Sequence, residues 1–242
     1  MALLETAGLA KRFGSKRVFQ EVNLKFEAGE IVAVLGVNGA GKTTLLGCLS
    51  GILGWSAGEV RLAGRRLDRK DLEQRKQYAL MPDRGLWFPW TDPIRNAASF
   101  SQLWRGADAG PPLDLEEWLD RLGLMEVAFD PIDGMSRGQA YKSSLLGLHA
   151  ADPELWLLDE PFAAGMDARG MEAFRAMARA ASGRGRCVVY TTQFPELAAR
   201  FADRVVVIGR GRVVLNDTTV GLEAAEVERR LSRALELEGA GA

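Results

Sequence analysis

The stretch Gly36-Val37-Asn38-Gly39-Ala40-Gly41-Lys42-Thr43-Thr44 limits what this chain can fold into more sharply than any other. It follows Ile31-Val32-Ala33-Val34-Leu35, a short run rich in β-branched residues, and leads into residues 43–53, where Leu45, Leu46 and Leu49 carry helical spacing. Strand, glycine-rich loop and helix in that order, with Lys-Thr directly after the last glycine, form the phosphate-loop pattern in the context it requires. Glycines let successive backbone N–H groups converge on phosphate oxygens, and the helix amino terminus adds its partial positive charge. Lys42 is placed to bridge the outer phosphates, and Thr43 to offer a hydroxyl to Mg2+. A glycine-rich turn with a chance lysine does not explain why strand, spacing and helix agree.

Two further apolar runs end in polar residues. Leu155-Trp156-Leu157-Leu158 passes into Asp159-Glu160-Pro161, and Cys187-Val188-Val189-Tyr190 into Thr191-Thr192-Gln193. With the first run they read as buried parallel strands whose carboxyl ends carry the polar groups, the end at which open α/β sheets bind ligands. Between residues 81 and 150 the pattern changes to helical segments punctuated by Gly and Pro, including 115–124 and 139–149. A helical lobe inserted in the α/β core is expected there. Val22-Asn23-Leu24-Lys25-Phe26 alternates apolar and polar, and residues 205–208 and 212–215 flank Gly209-Arg210-Gly211 as a hairpin, so antiparallel strands are expected to border the core. In the tail, 222–237, Ala224, Val227, Leu231 and Ala234 fall on one helical face before the chain frays into Gly239-Ala240-Gly241-Ala242.

Bulk properties narrow the class. A chain of 242 residues with 47% apolar content can bury a substantial core as one domain. A net charge of -1 supplies no basic field to recruit nucleic acid, which argues against a DNA-clamping ATPase. No apolar stretch approaches the roughly 20 residues that a membrane-spanning helix needs. Met1-Ala2-Leu3-Leu4-Glu5 does not open a secretory leader, so a cytoplasmic location is expected. Cys48 and Cys187 lie far apart in apolar contexts and read as small buried hydrophobes, not as a disulfide. His149 is the only histidine, which excludes metal sites built from several His and Cys; it reads as a polar residue near a helix end.

Many families share a phosphate loop, and the rest of the chain must decide between them. Met135-Ser136-Arg137-Gly138-Gln139, opening a helix shortly before the run that ends in Asp159-Glu160-Pro161, resembles the signature sequence and Walker B of ATP-binding cassette (ABC) transporter ATP-binding subunits. The resemblance extends from about residue 4 to about residue 215. It implies a P-loop NTPase (RecA-like) core with a parallel sheet over about 1–83 and 150–220, an antiparallel β subdomain, a helical lobe over about 84–149 and a C-terminal helix over about 221–238, all within one domain of 242 residues.

The same resemblance implies the roles. ATP and Mg2+ are the expected ligands, with Gly36, Val37, Asn38, Gly39, Ala40, Gly41, Lys42, Thr43 and Thr44 around the phosphates. Thr43, Asp159 and, through the Q-loop position, Asp83 are the expected metal contacts. Glu160, beside the γ-phosphate, is the expected general base, a role that requires hydrogen-bond reach of the attacking water. Phe13, with Val18 as an apolar wall, is the expected adenine platform. Ser136, Gly138 and Gln139 are expected to close over ATP held by a second chain, although a serine at a helix start also reads as a plain N-cap. Asp167 resembles the D-loop aspartate that acts across such a dimer. Three positions depart from the family wording: Arg137 stands where glycine is common, Asp83 where Gln or Glu follows Pro82, and Gln193 where the family carries its switch histidine.

The implied function is ATP hydrolysis that drives transport through a separate membrane-spanning subunit. The protein would be peripheral on the inner face of the cell membrane and work as a homodimer or a heterodimer with a second ATP-binding subunit. Trp87, Phe88 and Trp90, just after the Q-loop position, read either as part of the groove for that membrane partner or as a core cluster of the helical lobe. A soluble member of the superfamily acting in cofactor assembly is the alternative. The short tail, without a regulatory domain, points to a simple exporter or multidrug-type subunit.

Overall fold

The computed structural model describes residues 2–109, 112, 114–163, 165–220 and 223–239. In chain order the strands are β1 (Ala2–Phe13), β2 (Lys16–Glu27), β3 (Ile31–Leu35), β4 (Ala57–Leu62), β5 (Arg65–Arg66), β6 (Tyr78–Met81), β7 (Leu155–Leu158), β8 (Cys187–Thr192), β9 (Arg204–Gly209) and β10 (Arg212–Thr218). The α-helices are α1 (Lys42–Leu49), α2 (Leu72–Lys76), α3 (Pro93–Arg105), α4 (Leu115–Leu122), α5 (Arg137–Ala151), α6 (Ala168–Gly183), α7 (Pro195–Phe201) and α8 (Ala224–Gly239).

Six strands form the central sheet in the order β10-β9-β3-β8-β7-β6, parallel except where β10 turns back on β9. Every residue of β3, β7 and β8 is buried, because a parallel strand covered on both faces has no solvent side; the unbroken apolar runs of the sequence have that cause. Strand alternation divides β3 between two cores. Val32 and Val34 face the antiparallel sheet β2-β1-β4-β5, joining Leu4, Phe19 and Phe26, with Leu45 and Leu49 of α1 in the same cluster. Ala33 and Leu35 face the helices, meeting Tyr141, Leu145, Phe174 and Met177. Each such side chain, fully buried, contributes on the order of 1.5–3 kcal/mol. In β2 the expected alternation is present: Val22, Leu24 and Phe26 are buried between exposed Asn23 and Lys25.

One expectation needs correction. The segment 205–208 does not border the core, because β9 lies inside the central sheet, parallel to β3, with Val205, Val206, Val207 and Ile208 all buried. Of the two hairpin strands only β10 lies at an edge of the sheet, and its alternation of half-buried and exposed residues reflects one open face. The turn between them places Arg210 and Gly211 at φ 44° and 74°, the pair of positive values that a tight hairpin of matching twist requires.

The helical lobe rests on α5. Its start is fixed by a reciprocal cap in which the Ser136 hydroxyl accepts the Gln139 N–H and the Gln139 side chain accepts the Ser136 N–H. Every residue from Ala140 to Ala151 is buried, since α5 packs on α3 on one side and on the sheet on the other. Asp92 caps α3 by accepting the Arg95 N–H, with Pro93 in the first turn, where a missing N–H costs nothing. His149 lies near the end of α5, buried, with Nε2 at 3.0 Å from both Asp114 oxygens and its ring against Trp118. The expected tail helix is α8, seated on the domain through buried Val227 and Leu231; Leu222, the side chains of Ala224 and Leu237, and residues 240–242 lie outside the described residues. Among the described residues, no helix is long and apolar enough to cross a membrane.

Candidate active site

The loop between β3 and α1 opens at the carboxyl edge of the central sheet. Gly41 precedes α1 at φ 98°, and a Cβ there would lie 2.7 Å from Val18 Cγ1, so both its backbone and its contact with β2 require glycine. Val18 is thereby brought against the phosphate loop. Val37, Asn38, Gly39 and Thr43 are exposed, Ala40 and Thr44 half-buried, and Gly36 buried. Lys42 is only 6% exposed and folds back into the loop: its Nζ donates to the Gly36 carbonyl at 2.8 Å and the Val37 carbonyl at 3.4 Å.

The same ammonium lies 3.1 Å from Glu160 Oε1. Strand β7 delivers Asp159, buried, and Glu160, whose side chain is 18% exposed, to this point. Glu160 has a φ of 46°, in the left-handed region, which for a residue with a side chain costs on the order of 1–3 kcal/mol. The fold holds it there through Thr191, a residue not singled out from the sequence. Its hydroxyl accepts the Glu160 N–H at 2.8 Å and donates to Asp159 Oδ1 at 2.7 Å. The signal for it was the polar end of the 187–190 run, because parallel strands β7 and β8 bring their carboxyl ends side by side.

The other expected residues lie on the following elements. Gln193 is half-buried, one residue beyond β8. Phe13 ends β1 with 50% of its surface exposed and Lys11 Nζ 4.5 Å from its ring centroid, so one aromatic face remains for a flat partner. Asp83 follows β6, half exposed, with Arg137 Nη2 at 3.8 Å, so two of the three departures in the sequence meet each other. Ser136, Gly138 and Gln139 open α5; among the described residues no hydrogen bond joins them to the phosphate loop. Ser136 is the cap of α5 and is exposed at the head of that helix. Asp167 caps α6, and Ala164 before it lies outside the described residues. Among the described residues there is no cluster of three or more His, Cys, Asp or Glu in a metal-binding array. The oxygens of Thr43 and Asp159 nevertheless suit Mg2+, which is held by one or two protein ligands together with nucleotide phosphates.

The three residues of the aromatic segment differ in their surroundings. Trp87 donates Nε1–H to Asp133 Oδ1 at 2.9 Å, and Phe88 packs on Phe100 with ring centroids 5.4 Å apart. Only Trp90 is open, at 84%. Beside them is a cleft of 480 Å3, lined by Ile52, Leu72, Leu80, Leu86, Leu103 and Trp104 among others. Four of these, Ile52, Leu72, Leu86 and Leu103, are large apolar side chains left exposed.

Comparison with known proteins bears on all of this. The family model described as ABC transporter matches residues 19–163. The daunorubicin resistance ATP-binding protein DrrA3 of Streptomyces coeruleorubidus is 30% identical over 217 residues, covering 90% of this chain and 68% of that protein. The sulfate/thiosulfate import ATP-binding protein CysA of Bordetella parapertussis is 34% identical over 214 residues, covering 87% of this chain and 60% of that protein. Among solved structures, an ATP-binding subunit of an ABC transporter superposes with a TM-score of 0.82 at 22% identity, covering 95% of this chain and 99% of that one. The cbiO1 protein of Clostridium perfringens, part of the transporter complex cbiONQ, gives 0.75 at 23% identity, covering 98% of each chain.

Proposed function

Because this chain belongs to the ABC transporter family, we propose that it binds ATP with Mg2+, hydrolyses it, and drives solute transport through a separate membrane-spanning subunit. The observation that carries the reading is the contact of Lys42 with Glu160 at the mouth of the phosphate loop, beside Asp159. An ammonium paired with a carboxylate is a site poised for exchange: the outer phosphates of ATP replace Glu160 on Lys42, and the freed carboxylate turns to the attacking water. Thr191 keeps the Glu160 backbone in place while its side chain changes partners. Thr43 and Asp159 would hold Mg2+, which supplies charge neutralisation between the phosphates. Phosphate release from ATP, with and without Mg2+, tests the reading; no release in either condition would sink it.

Two copies, or this chain and a related one, complete the sites. Ser136, Gly138 and Gln139, at the head of α5, would close over ATP held by the other chain, with Asp167 acting across the same dimer, and Phe13 would stack on adenine. Asp83, one methylene shorter than glutamate, would contribute its carboxylate to the metal site. Gln193 replaces a group able to carry charge beside the γ-phosphate. Charged hydrogen bonds contribute roughly 1.5–3 kcal/mol and neutral ones about 1. Gln193→His is therefore expected to raise kcat about 5- to 30-fold with ATP binding almost unchanged. A pH dependence centred near the imidazole value of about 6.5 should accompany it, the charged form below that value being the stronger donor. Steady-state phosphate release by both proteins across pH is the measurement, and an unchanged or lower kcat refutes the assignment.

The apolar cleft at Ile52, Leu72, Leu86 and Leu103 suits an amphipathic helix of the membrane partner, and on this reading the protein would be peripheral on the inner face of that membrane. Leu103→Asp puts a charge in the middle of the docking surface and is expected to lower the fraction sedimenting with native membranes by about tenfold. Sedimentation equal to that of the unchanged protein would remove the cleft from this role.

A further inference from the structure

Two cations that the reaction does not use join the helical lobe to the start of α6. Lys142, one turn beyond Gln139 on α5, has a side chain only 8% exposed, and its Nζ lies 2.8 Å from Asp167 Oδ1. That same oxygen accepts the Gly170 N–H at 2.8 Å and so caps α6. The fit is close: a Cβ at Gly170 would stand 2.6 Å from Lys142 Cε and 2.9 Å from Asp167 Oδ1. In the opposite direction Arg169, in the first turn of α6, reaches into the lobe. Its Nε donates to the Arg121 carbonyl at 3.2 Å, and its Nη2 to Asp120 Oδ1 at 3.0 Å and to the Asp120 carbonyl. The guanidinium thereby adds a donor to the Asp120 carbonyl, which already accepts the Gly123 N–H at 2.8 Å, and reaches the Arg121 carbonyl at the end of α4.

After Glu160 the chain enters a turn in which the Ala163 N–H donates to the Glu160 carbonyl at 3.0 Å; Ala164, between it and Asp167, lies outside the described residues. Phe162 anchors the near end of the turn to the core, stacked on Phe201 and edge-on to Tyr190. We propose that Lys142 and Arg169 are positioning residues that fasten the Asp167 turn to the helical lobe, so that the orientation of the lobe sets the backbone carrying Glu160. A buried ammonium left without its carboxylate is costly, so Lys142 holds Asp167 to the lobe. The hydrogen bond from Lys142 also holds the Asp167 carboxyl below the usual carboxylate range, which keeps it charged for this contact. The inference rests on the ATPase reading above.

Lys142→Gln keeps length and removes charge. It is expected to lower kcat about tenfold while KM for ATP stays within about twofold, because no nucleotide contact is touched. Lys142→Arg should restore most of the rate. Asp167→Asn should match Lys142→Gln, and the double variant should be no slower than either single one, as expected for two ends of one contact. Arg169→Gln should act in the same direction. Independently of turnover, hydrogen exchange of the nucleotide-free protein should rise at the Gly170 amide in Lys142→Gln and not in Lys142→Arg. Wild-type kcat in Lys142→Gln, multiplying effects in the double variant, or unchanged exchange at Gly170 would each overturn the proposal. A wild-type protein that releases no phosphate while exchange still responds to Lys142→Gln would instead refute the ATPase reading and retain the fastening.

Discussion

Glu160→Gln is expected to lower steady-state phosphate release by about 10²- to 10³-fold, since the amide can still bond to water but cannot accept its proton. ATP should bind more tightly at the same time. In the free protein the Glu160 carboxylate occupies Lys42 at 3.1 Å, and every ATP that binds must displace it. Removing that competitor, a charge-assisted contact of about 1.5 kcal/mol or more, should raise the affinity about tenfold. With hydrolysis blocked and the surfaces of Ser136 and Gly138 intact, ATP should accumulate a dimer visible by size-exclusion chromatography with light scattering. Hydrolysis at the wild-type rate would remove Glu160 from the role of base, and unchanged affinity would show that its contact with Lys42 carries no weight in binding.

Lys42→Ala is expected to weaken ATP binding by about 10²-fold or more. In the proposed site the ammonium would make charge-assisted contacts to the outer phosphates, each contributing roughly 1.5–3 kcal/mol. Its loss also leaves Glu160 as an unneutralised negative charge facing the incoming phosphates. The second effect separates from the first in the double variant Lys42→Ala with Glu160→Gln, which should bind ATP better than Lys42→Ala alone. Titration with a fluorescent ATP analogue measures all three; a single variant within twofold of the wild type would contradict the assigned contact.

What the sequence carried plainly was whatever depends on local order. The phosphate loop was legible because the strand before it and the helix after it are written in adjacent residues, and the parallel sheet because β3, β7 and β8 are buried on both faces and so are apolar throughout. Ser136 was legible as a cap for the same reason, its partner Gln139 being three residues away. What was not legible depends on which strangers in sequence become neighbours in space. Thr191 holds Asp159 and Glu160 only because β8 lies next to β7, and nothing in the wording of 187–193 states that adjacency. Residues 205–208 read as a border because a hairpin follows them, yet β3 covers their other edge. Trp87, Phe88 and Trp90 have similar composition and opposite fates, since exposure is decided by Asp133 and Phe100, which are distant along the chain. The cleft beside them is built from Ile52, Leu72 and Leu103, three isolated apolar residues with no motif in common.

Both native thiols are sealed inside the fold: Cys48 on α1 and Cys187 on β8 are fully buried and unpaired. Burial pushes the Cys48 thiol up to about 11 and raises that of Cys187 further. Since the thiolate is the reactive species, maleimide reagents at neutral pH find no native target while the chain is folded. The wild-type protein is thus already a cysteine-silent background, and single cysteines at exposed positions such as Phe129 on the lobe and Val214 on β10 can carry a donor and an acceptor dye without first replacing either native residue. Movement of the lobe against the sheet then becomes a distance that can be followed in one molecule at a time.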